Sequence, residues 1–182
     1  SIVDVGCGPG YLLGELGKRL PGVRLVGVDI AEEMVVKARA NMASWGLGER
    51  ADFRQGEAAA LPLEASSQDF IVSTLSLHHW SDPAKALAEF HRVLKPGGQV
   101  LVMDLRRDTL RLFYWLILFA QDVALRVLGA GALTRSGEPL NSLLSSYTVE
   151  EVKAMAGGTP FGESRVHGRV GWLYFWCRKS AG

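Results

Sequence analysis

Short apolar runs alternate with amphipathic stretches along most of this chain, and the alternation predicts a sheet covered by helices. Apolar, β-prone segments bounded by turn residues predict five strands, at residues 2–5, 23–30, 51–56, 68–75 and 99–105. Between them, apolar positions near 3.6-residue spacing predict helices, of which the one over 82–94 is the clearest. Strands that alternate with helices are typical of an α/β domain with a mainly parallel sheet.

The last third of the chain departs from this alternation. Residues 164–170 and 171–178 predict two closing strands, joined near Gly168 or Gly171 as an antiparallel hairpin. Upstream of them, Thr148 and Glu151 have the spacing of a helix-capping box. The fold class that we expect is therefore a Rossmann-like three-layer α/β sandwich, with a mainly parallel seven-stranded sheet and an antiparallel final hairpin.

Three glycines at alternate positions, Gly6, Gly8 and Gly10, follow the first predicted strand and precede a predicted helix. Glycine gives such a turn positive φ angles and lets a ligand approach the backbone closely. A strand, a tight turn and a helix N-terminus form a nucleotide site. Dinucleotide folds use G-x-G-x-x-G, whereas this loop is D-x-G-x-G-x-G with Pro9 inside it, which favours a ligand without phosphates.

An acidic residue, Asp29, ends the second predicted strand, nineteen residues beyond Gly10. At that separation from a glycine loop, a strand-end carboxylate can accept hydrogen bonds from both hydroxyls of a ribose. The alternative is that Asp29 caps the next predicted helix, over residues 31–42.

Two adjacent histidines, His78 and His79, follow the fourth predicted strand. Ligands of open α/β sheets bind at the carboxyl ends of the strands, and histidine titrates near neutrality, so either side chain could act as a general base. The alternative is that they pack and hydrogen-bond at the sheet edge, where neighbouring strand residues would point to opposite sides.

Composition narrows the class of protein. The chain has 182 residues, of which 48% are hydrophobic and 21% charged, with a formal net charge of +1. We expect one domain over 1–182 and no nucleic-acid partner. Only two cysteines are present, Cys7 and Cys177, so we expect a cytoplasmic location and no disulfide framework. The spacing of the histidines and cysteines supports no metal site.

The ordered motifs identify the chain as a member of a known class. It resembles the class I S-adenosylmethionine (SAM) dependent methyltransferases, including those that act on ubiquinone, menaquinone and other small molecules. The motifs that carry the resemblance are D-V-G-C-G-P-G at 4–10, G-E-A-A-A-L-P at 56–62, L-H-H-W at 77–80 and L-K-P-G-G at 94–98. In that family one or two helices precede the first strand, so we expect N-terminal helices to be missing.

The resemblance implies a set of cofactor contacts. The glycine loop would wrap the methionine part of SAM, and Glu57 would accept from the adenine amine in place of the usual aspartate. The cofactor-binding residues expected in this way are Asp4, Gly6, Gly8, Gly10, Asp29, Ile30, Met34, Glu57, Ala58 and Thr74.

The function expected on this resemblance is methyl transfer from SAM to a small apolar molecule. His78 or His79 would remove the proton of a hydroxyl acceptor. A SAM-binding protein without transferase activity and a nicotinamide oxidoreductase are the alternatives. The insertion at 109–133 is strongly apolar, and it predicts a lid, a plain core helix, or a helix that lies at a membrane surface through 110–128. Its uncharged run is shorter than the roughly 20 residues that are needed to span a bilayer.

Overall fold

The structure is a computed structural model, and it describes residues 1–109, 115–116, 119–120, 123 and 138–182. Strands and helices alternate up to the fifth strand except between the third and fourth strands, which follow each other with no helix between them. The strands are β1 (Ile2–Val5), β2 (Leu25–Asp29), β3 (Ala51–Gln55), β4 (Gln68–Thr74), β5 (Leu94–Leu105), β6 (Glu163–Gly168) and β7 (Trp172–Arg178). The helices are α1 (Tyr11–Arg19), α2 (Glu32–Ser44), α3 (Pro83–Val93), α4 (Glu138–Ser145) and α5 (Val149–Gly157).

The strands form one seven-stranded sheet in the order β3-β2-β1-β4-β5-β7-β6. The pairs from β3 to β5 are parallel, whereas β7 runs antiparallel to both β5 and β6. This confirms the predicted sheet and its final hairpin. The strand order reverses between β1 and β4, and open α/β sheets bind their ligands at such a switch point, outside the carboxyl ends of the strands.

Helices pack on both faces of the sheet and hold the strand ends in place. All five residues of β2 are buried, as a central parallel strand requires. On one face the core contains Leu13 of α1 and Met42 of α2. On the other face it contains Phe90 of α3 and Val152 of α5. The glycine loop after β1 is therefore anchored to a rigid, close-packed support.

The start of β5 differs from the sequence-based expectation, whereas the helix-capping box agrees with it. β5 begins at Leu94 rather than at residue 99, because Leu94 pairs with Gln68 and the turn-forming run 95–98 forms a register shift before Gln99 pairs with Phe70. The predicted capping box is confirmed. The Thr148 hydroxyl accepts from the Glu151 backbone N–H at 3.2 Å, and the Glu151 carboxylate accepts from the Thr148 N–H at 2.8 Å.

Most of the apolar insertion predicted at 109–133 lies outside the described residues. Those that are described, 115–116, 119–120 and 123, are helical. Trp115 and Phe119 are 65% and 67% exposed. In the described part of the chain, no helix is long and apolar enough to cross a membrane.

Candidate functional site

A cavity of about 330 Å³ opens at the carboxyl ends of β1, β2 and β4, at the switch point of the sheet. Its walls come from the glycine loop, the end of β2, the stretch after β3 and the stretch after β4. The predicted residues that line it are Gly6, Asp29, Ile30, Glu57, Ala58 and His79.

The first turn of the glycine loop is tied to the neighbouring strand. The backbone N–H groups of Gly6 and Cys7 both donate to the carbonyl of Val28, at 2.8 and 3.1 Å. Gly6 has a φ of +76°, and a Cβ built there would lie 2.3 Å from the Ser76 hydroxyl oxygen. No other residue fits this position, because both the backbone angle and the space exclude a side chain.

Gly8 forms the outer part of the loop, with open space beside it. Its φ is +49°, and a Cβ built on it would meet nothing within 4 Å. Its N–H donates to Asp29 Oδ2 at 2.7 Å, and the carbonyl of the next residue, Pro9, accepts from the Asn41 amide at 2.9 Å. The loop is therefore held from two sides while its outer surface stays open.

Asp29 connects the loop to the start of α2. Besides the Gly8 contact, its Oδ1 accepts from the Ala31 N–H at 3.0 Å. The helix begins one residue later, with Ala31 as its N-cap and no side-chain cap bond, so Asp29 does not take the alternative role of a helix cap. A carboxylate has about four acceptor sites. Two remain for hydroxyl donors on the cavity side.

A second carboxyl group, Asp4, is buried in β1 below the loop. Only 1% of the residue is exposed, and its Oδ1 has no hydrogen-bond partner among the described residues. Burial, and after it the negative charge of Asp29, raise the pKa of Asp4 to about 7. Among the described residues no positive charge acts on Asp4, and a cationic ligand would complete this acidic site.

Cys7, between these groups, is not a nucleophile in this setting. Burial and then the negative charges of Asp4 and Asp29 raise the pKa of its thiol far above the ordinary value. The thiol is therefore neutral at physiological pH.

Glu57, in the stretch after β3, has a hydrogen-bond partner of its own. The Ser81 hydroxyl donates to Glu57 Oε1. Both residues line the cavity, as does Ala58. The bond orients the longer side chain that replaces the aspartate typical of the family motif.

The two histidines occupy a 3-10 turn, Leu77–His79, rather than a strand. Their rings are 4.0 Å apart, so they do not point to opposite sides as strand neighbours would. His79 is exposed and lines the cavity. The side chain of His78 is buried, and its Nδ1 lies 2.9 Å from Oδ1 of Asp104, near the end of β5.

The structure brings six of the predicted site residues to the cavity wall and leaves the other six outside it. Met34 and Thr74, which were expected near the cofactor, do not line the cavity, and neither do Asp4, Gly8, Gly10 or His78. Asp104 was not singled out, although its position near the end of the fifth predicted strand was a usable signal. Lining residues that were also missed are Leu75, Ser76, Trp80 and Ser81.

A second cavity, of about 370 Å³, lies beside the turn between β6 and β7. Its walls include Arg106 and Arg169, and Arg106 is paired with Asp108. Its lining includes neither the glycine loop nor Asp29. The switch-point cavity is therefore the better candidate for a cofactor.

We expect Asp4→Asn to stabilise the ligand-free protein relative to the parent as the pH rises. Asp4 titrates near 7 in the native state, against an ordinary value of 3.8. Between these values the native state holds one extra proton, so its stability falls as pH rises through this window and is constant above it. The difference in unfolding free energy between variant and parent should grow by at least about 1 kcal/mol from pH 4 to pH 8, as measured by urea unfolding.

Asp108→Asn is the control for this prediction. Hydrogen bonding to Arg106 lowers the pKa of Asp108, so removing this carboxylate should cost stability above its titration range rather than add it. A difference between Asp4→Asn and the parent that does not change with pH would mean that Asp4 is ionised throughout.

Comparisons with known proteins agree with this geometry. Residues 3–102 match the family model of a methyltransferase domain. A malonyl-[acyl-carrier protein] O-methyltransferase from Erwinia billingiae is 31% identical over 95% of this chain and 69% of its own length. A demethylmenaquinone methyltransferase from Thermus thermophilus is 36% identical over 57% of this chain, but the match spans only 46% of that protein.

The fold is shared with solved structures. A SAM-dependent methyltransferase from Aquifex aeolicus superposes with a TM-score of 0.69 at 22% identity, over 97% of this chain and 80% of that one. The chain spans about half the length of several curated relatives that it matches. The domain match and the Erwinia relative together show that this chain belongs to the class I SAM-dependent methyltransferase family.

Proposed function

We propose that this chain binds SAM in the switch-point cavity and transfers its methyl group to a small apolar molecule. The observation that carries the proposal is the pair of acidic groups, Asp4 and Asp29, beneath an open glycine loop. SAM carries positive charge on its sulfonium and ammonium groups, and a ribose with two hydroxyls. Such a ligand supplies both the counter-charge and the hydroxyl donors that this site lacks.

The cavity residues divide into groups that suit the parts of the ligand. Asp29 would hold the ribose hydroxyls, with Ile30 and Met34 beside the nucleoside. Glu57 and Ala58 would contact the adenine edge. The methionine part would lie against the glycine loop (Gly6, Gly8, Gly10) and near Asp4 and Thr74.

The chain's own contribution to the chemistry would be positioning. When bound, SAM supplies a methyl group on a sulfonium whose leaving group is already activated. The loop, pinned to Val28 and to Asp29, would hold this group in one place, and the stretch after β4 would bring the acceptor into line. His79, exposed in the wall, is available for hydrogen bonding to an acceptor.

The apolar character of the acceptor is supported by the insertion after β5. Trp115 and Phe119 both lie in helical positions, and about two thirds of each is exposed. Large exposed aromatic residues favour an interaction surface over a plain core helix. One relative is named as acting on demethylmenaquinone, an apolar compound of this kind. The same surface would suit peripheral membrane contact.

The two alternative functions, a nicotinamide oxidoreductase and a SAM-binding protein without transferase activity, require different features of the site. A nicotinamide dinucleotide needs a glycine loop whose helix end receives a pyrophosphate, and the acidic pair below this loop would repel that group. A protein that binds SAM without transferring methyl would have the same cofactor site and differ only at the acceptor.

Incubation with methyl-labelled SAM and a metabolite extract tests the proposal. We expect S-adenosylhomocysteine to form in step with label in an apolar small molecule. SAM binding without S-adenosylhomocysteine would favour the binding-only alternative, and absence of SAM binding would contradict the proposal.

We expect Asp29→Ala to weaken SAM binding more than Glu57→Ala. The Asp29 carboxylate would lose hydrogen bonds to two hydroxyls, each charge-assisted bond contributing roughly 1.5–3 kcal/mol, or more than tenfold in Kd. Glu57→Ala removes one contact to the ligand, and the polar side chain of Ser81 remains beside that position. Calorimetric titration of both variants measures the ranking, and equal binding by Asp29→Ala and the parent would show that the ribose assignment is wrong.

Gly8→Val should abolish SAM binding and leave a folded protein. The new side chain would project into the open space where the ligand approaches, and the positive φ would add strain of about 1–2 kcal/mol. Gly97→Val is the matched control, because Gly97 also has a positive φ with nothing within 4 Å but lies in β5, away from the cavity. Thermal unfolding should show a similar loss for both, and calorimetry should show lost binding for Gly8→Val alone.

The paired change Trp115→Ala with Phe119→Ala tests the apolar surface. We expect loss of acceptor turnover, with SAM affinity unchanged and with less than about 1 kcal/mol of destabilisation, because surface substitutions cost little. A fall of several kcal/mol in unfolding free energy would assign these side chains to the core instead.

A further inference from the structure

Leu75, the residue directly after β4, has a backbone conformation that leucine rarely adopts. Among the described residues, only Leu75 and Ser66 have a positive φ without being glycine, at +54° and +51°. The left-handed region is strained for an L-residue because its Cβ approaches the following carbonyl oxygen, and a bulky side chain there is an outlier. Such strain persists only where the surrounding structure holds it, and it clusters at functional sites.

The chain is anchored on both sides of Leu75. The Leu75 N–H donates to the Met103 carbonyl at 2.9 Å, next to the pairing of β4 with β5. The following residue, Ser76, is 8% exposed, and its hydroxyl accepts from Trp80 Nε1 at 2.9 Å. Leu77 lies in the hydrophobic core. The strained residue is therefore part of a fixed bend between two buried segments.

The side chain of Leu75 is an apolar part of the cavity wall. Leu75 is 47% exposed and lines the switch-point cavity. It thus combines two features that each lower stability, a strained backbone and an apolar side chain that is only partly removed from water. A ligand that packs against this side chain would complete its burial.

The contacts within the wall indicate which ligand this is. The lining residues on the stretch after β4 are Leu75, Ser76, His79, Trp80 and Ser81. Hydrogen bonds within the wall engage the tryptophan and both serines. In the proposed function, the groups of SAM meet the glycine loop and the carboxylates, and the stretch after β4 positions the acceptor. Leu75 is the aliphatic side chain that this stretch presents to it.

We propose that Leu75 determines acceptor specificity by packing against an apolar group of the acceptor; this rests on the proposed function. The acceptor class is a small molecule with an aliphatic or aromatic group next to the atom that receives the methyl. The positive φ is retained because it sets the direction of the leucine side chain. Leu75 takes no part in bond making, so its role is selection of the acceptor.

Paired alanine and glycine variants measure the strain. At an ordinary φ, glycine destabilises a protein relative to alanine, whereas at a left-handed position the order reverses. Leu75→Gly should therefore unfold at a higher temperature than Leu75→Ala. Ser66→Gly and Ser66→Ala are the control pair and should show the same order, because Ser66 is exposed in the turn before β4, at the other end of that strand. If Leu75→Ala unfolds at or above the temperature of Leu75→Gly, the strained conformation and the proposal are overturned.

Calorimetric titration of 1-naphthol into the protein saturated with S-adenosylhomocysteine tests the specificity. Asparagine tolerates the left-handed region and is polar, so Leu75→Asn should raise the Kd for 1-naphthol roughly fivefold or more. The Kd for S-adenosylhomocysteine should stay within about twofold of the parent value, since Leu75 is assigned to the acceptor. Leu75→Met keeps an apolar side chain and should keep the parent affinity for 1-naphthol. Ser66→Asn is the control and should change neither Kd.

Failure of this proposal is distinguishable from failure of the proposed function. If the parent complex does not bind 1-naphthol, or if Leu75→Asn binds it like the parent, Leu75 does not select the acceptor and the cofactor assignment stands. If Leu75→Asn weakens S-adenosylhomocysteine as much as 1-naphthol, Leu75 contacts the cofactor instead, which also overturns the proposal. If the parent binds neither SAM nor S-adenosylhomocysteine, the proposed function is wrong and this proposal is wrong with it.

Discussion

The hydrogen bond from the Gly8 backbone to the Asp29 carboxylate is the contact on which the candidate cofactor site depends. It joins the loop after β1 to the end of β2, and the same carboxylate reaches on to Ala31 at the start of α2. Three chain segments are thereby held at one point on the sheet edge. Asp4 lies buried below the loop, and its pKa is raised. Ionisation of this second acidic group therefore lowers the stability of the ligand-free protein.

Much of the fold was predictable because its elements follow from local pattern. The apolar runs of β1, β2 and β4 and the amphipathic spacing of α3 specify the sheet and its cover before any tertiary contact is considered. The end of β2 was predictable as well, since a glycine loop and a strand-end acid occur together at a fixed separation. The start of β5 was not, because Leu94 joins the sheet by long-range pairing with Gln68, ahead of a turn-forming run that the sheet accommodates as a register shift.

The chemistry of the site was less accessible to sequence reasoning. Nothing in the local sequence joins His78 to Asp104, which are brought together by the parallel pairing of β4 with β5. Likewise, Ser81 meets Glu57 across the cavity only because the stretches after β3 and β4 end at the same edge. The raised pKa of Asp4 depends on burial, which a residue type alone does not reveal.

The central claim is that the Asp4 and Asp29 carboxyl groups form the site of a cationic cofactor. Calorimetric titration with SAM at pH 7, in two buffers of different ionisation heat, tests it most directly. A cation near Asp4 should lower the pKa of this carboxyl group from about 7, so SAM binding should release up to about half a proton. S-adenosylhomocysteine lacks the sulfonium charge, so its binding should release less. Binding of SAM without proton release, or release that persists in Asp4→Asn, would contradict the account.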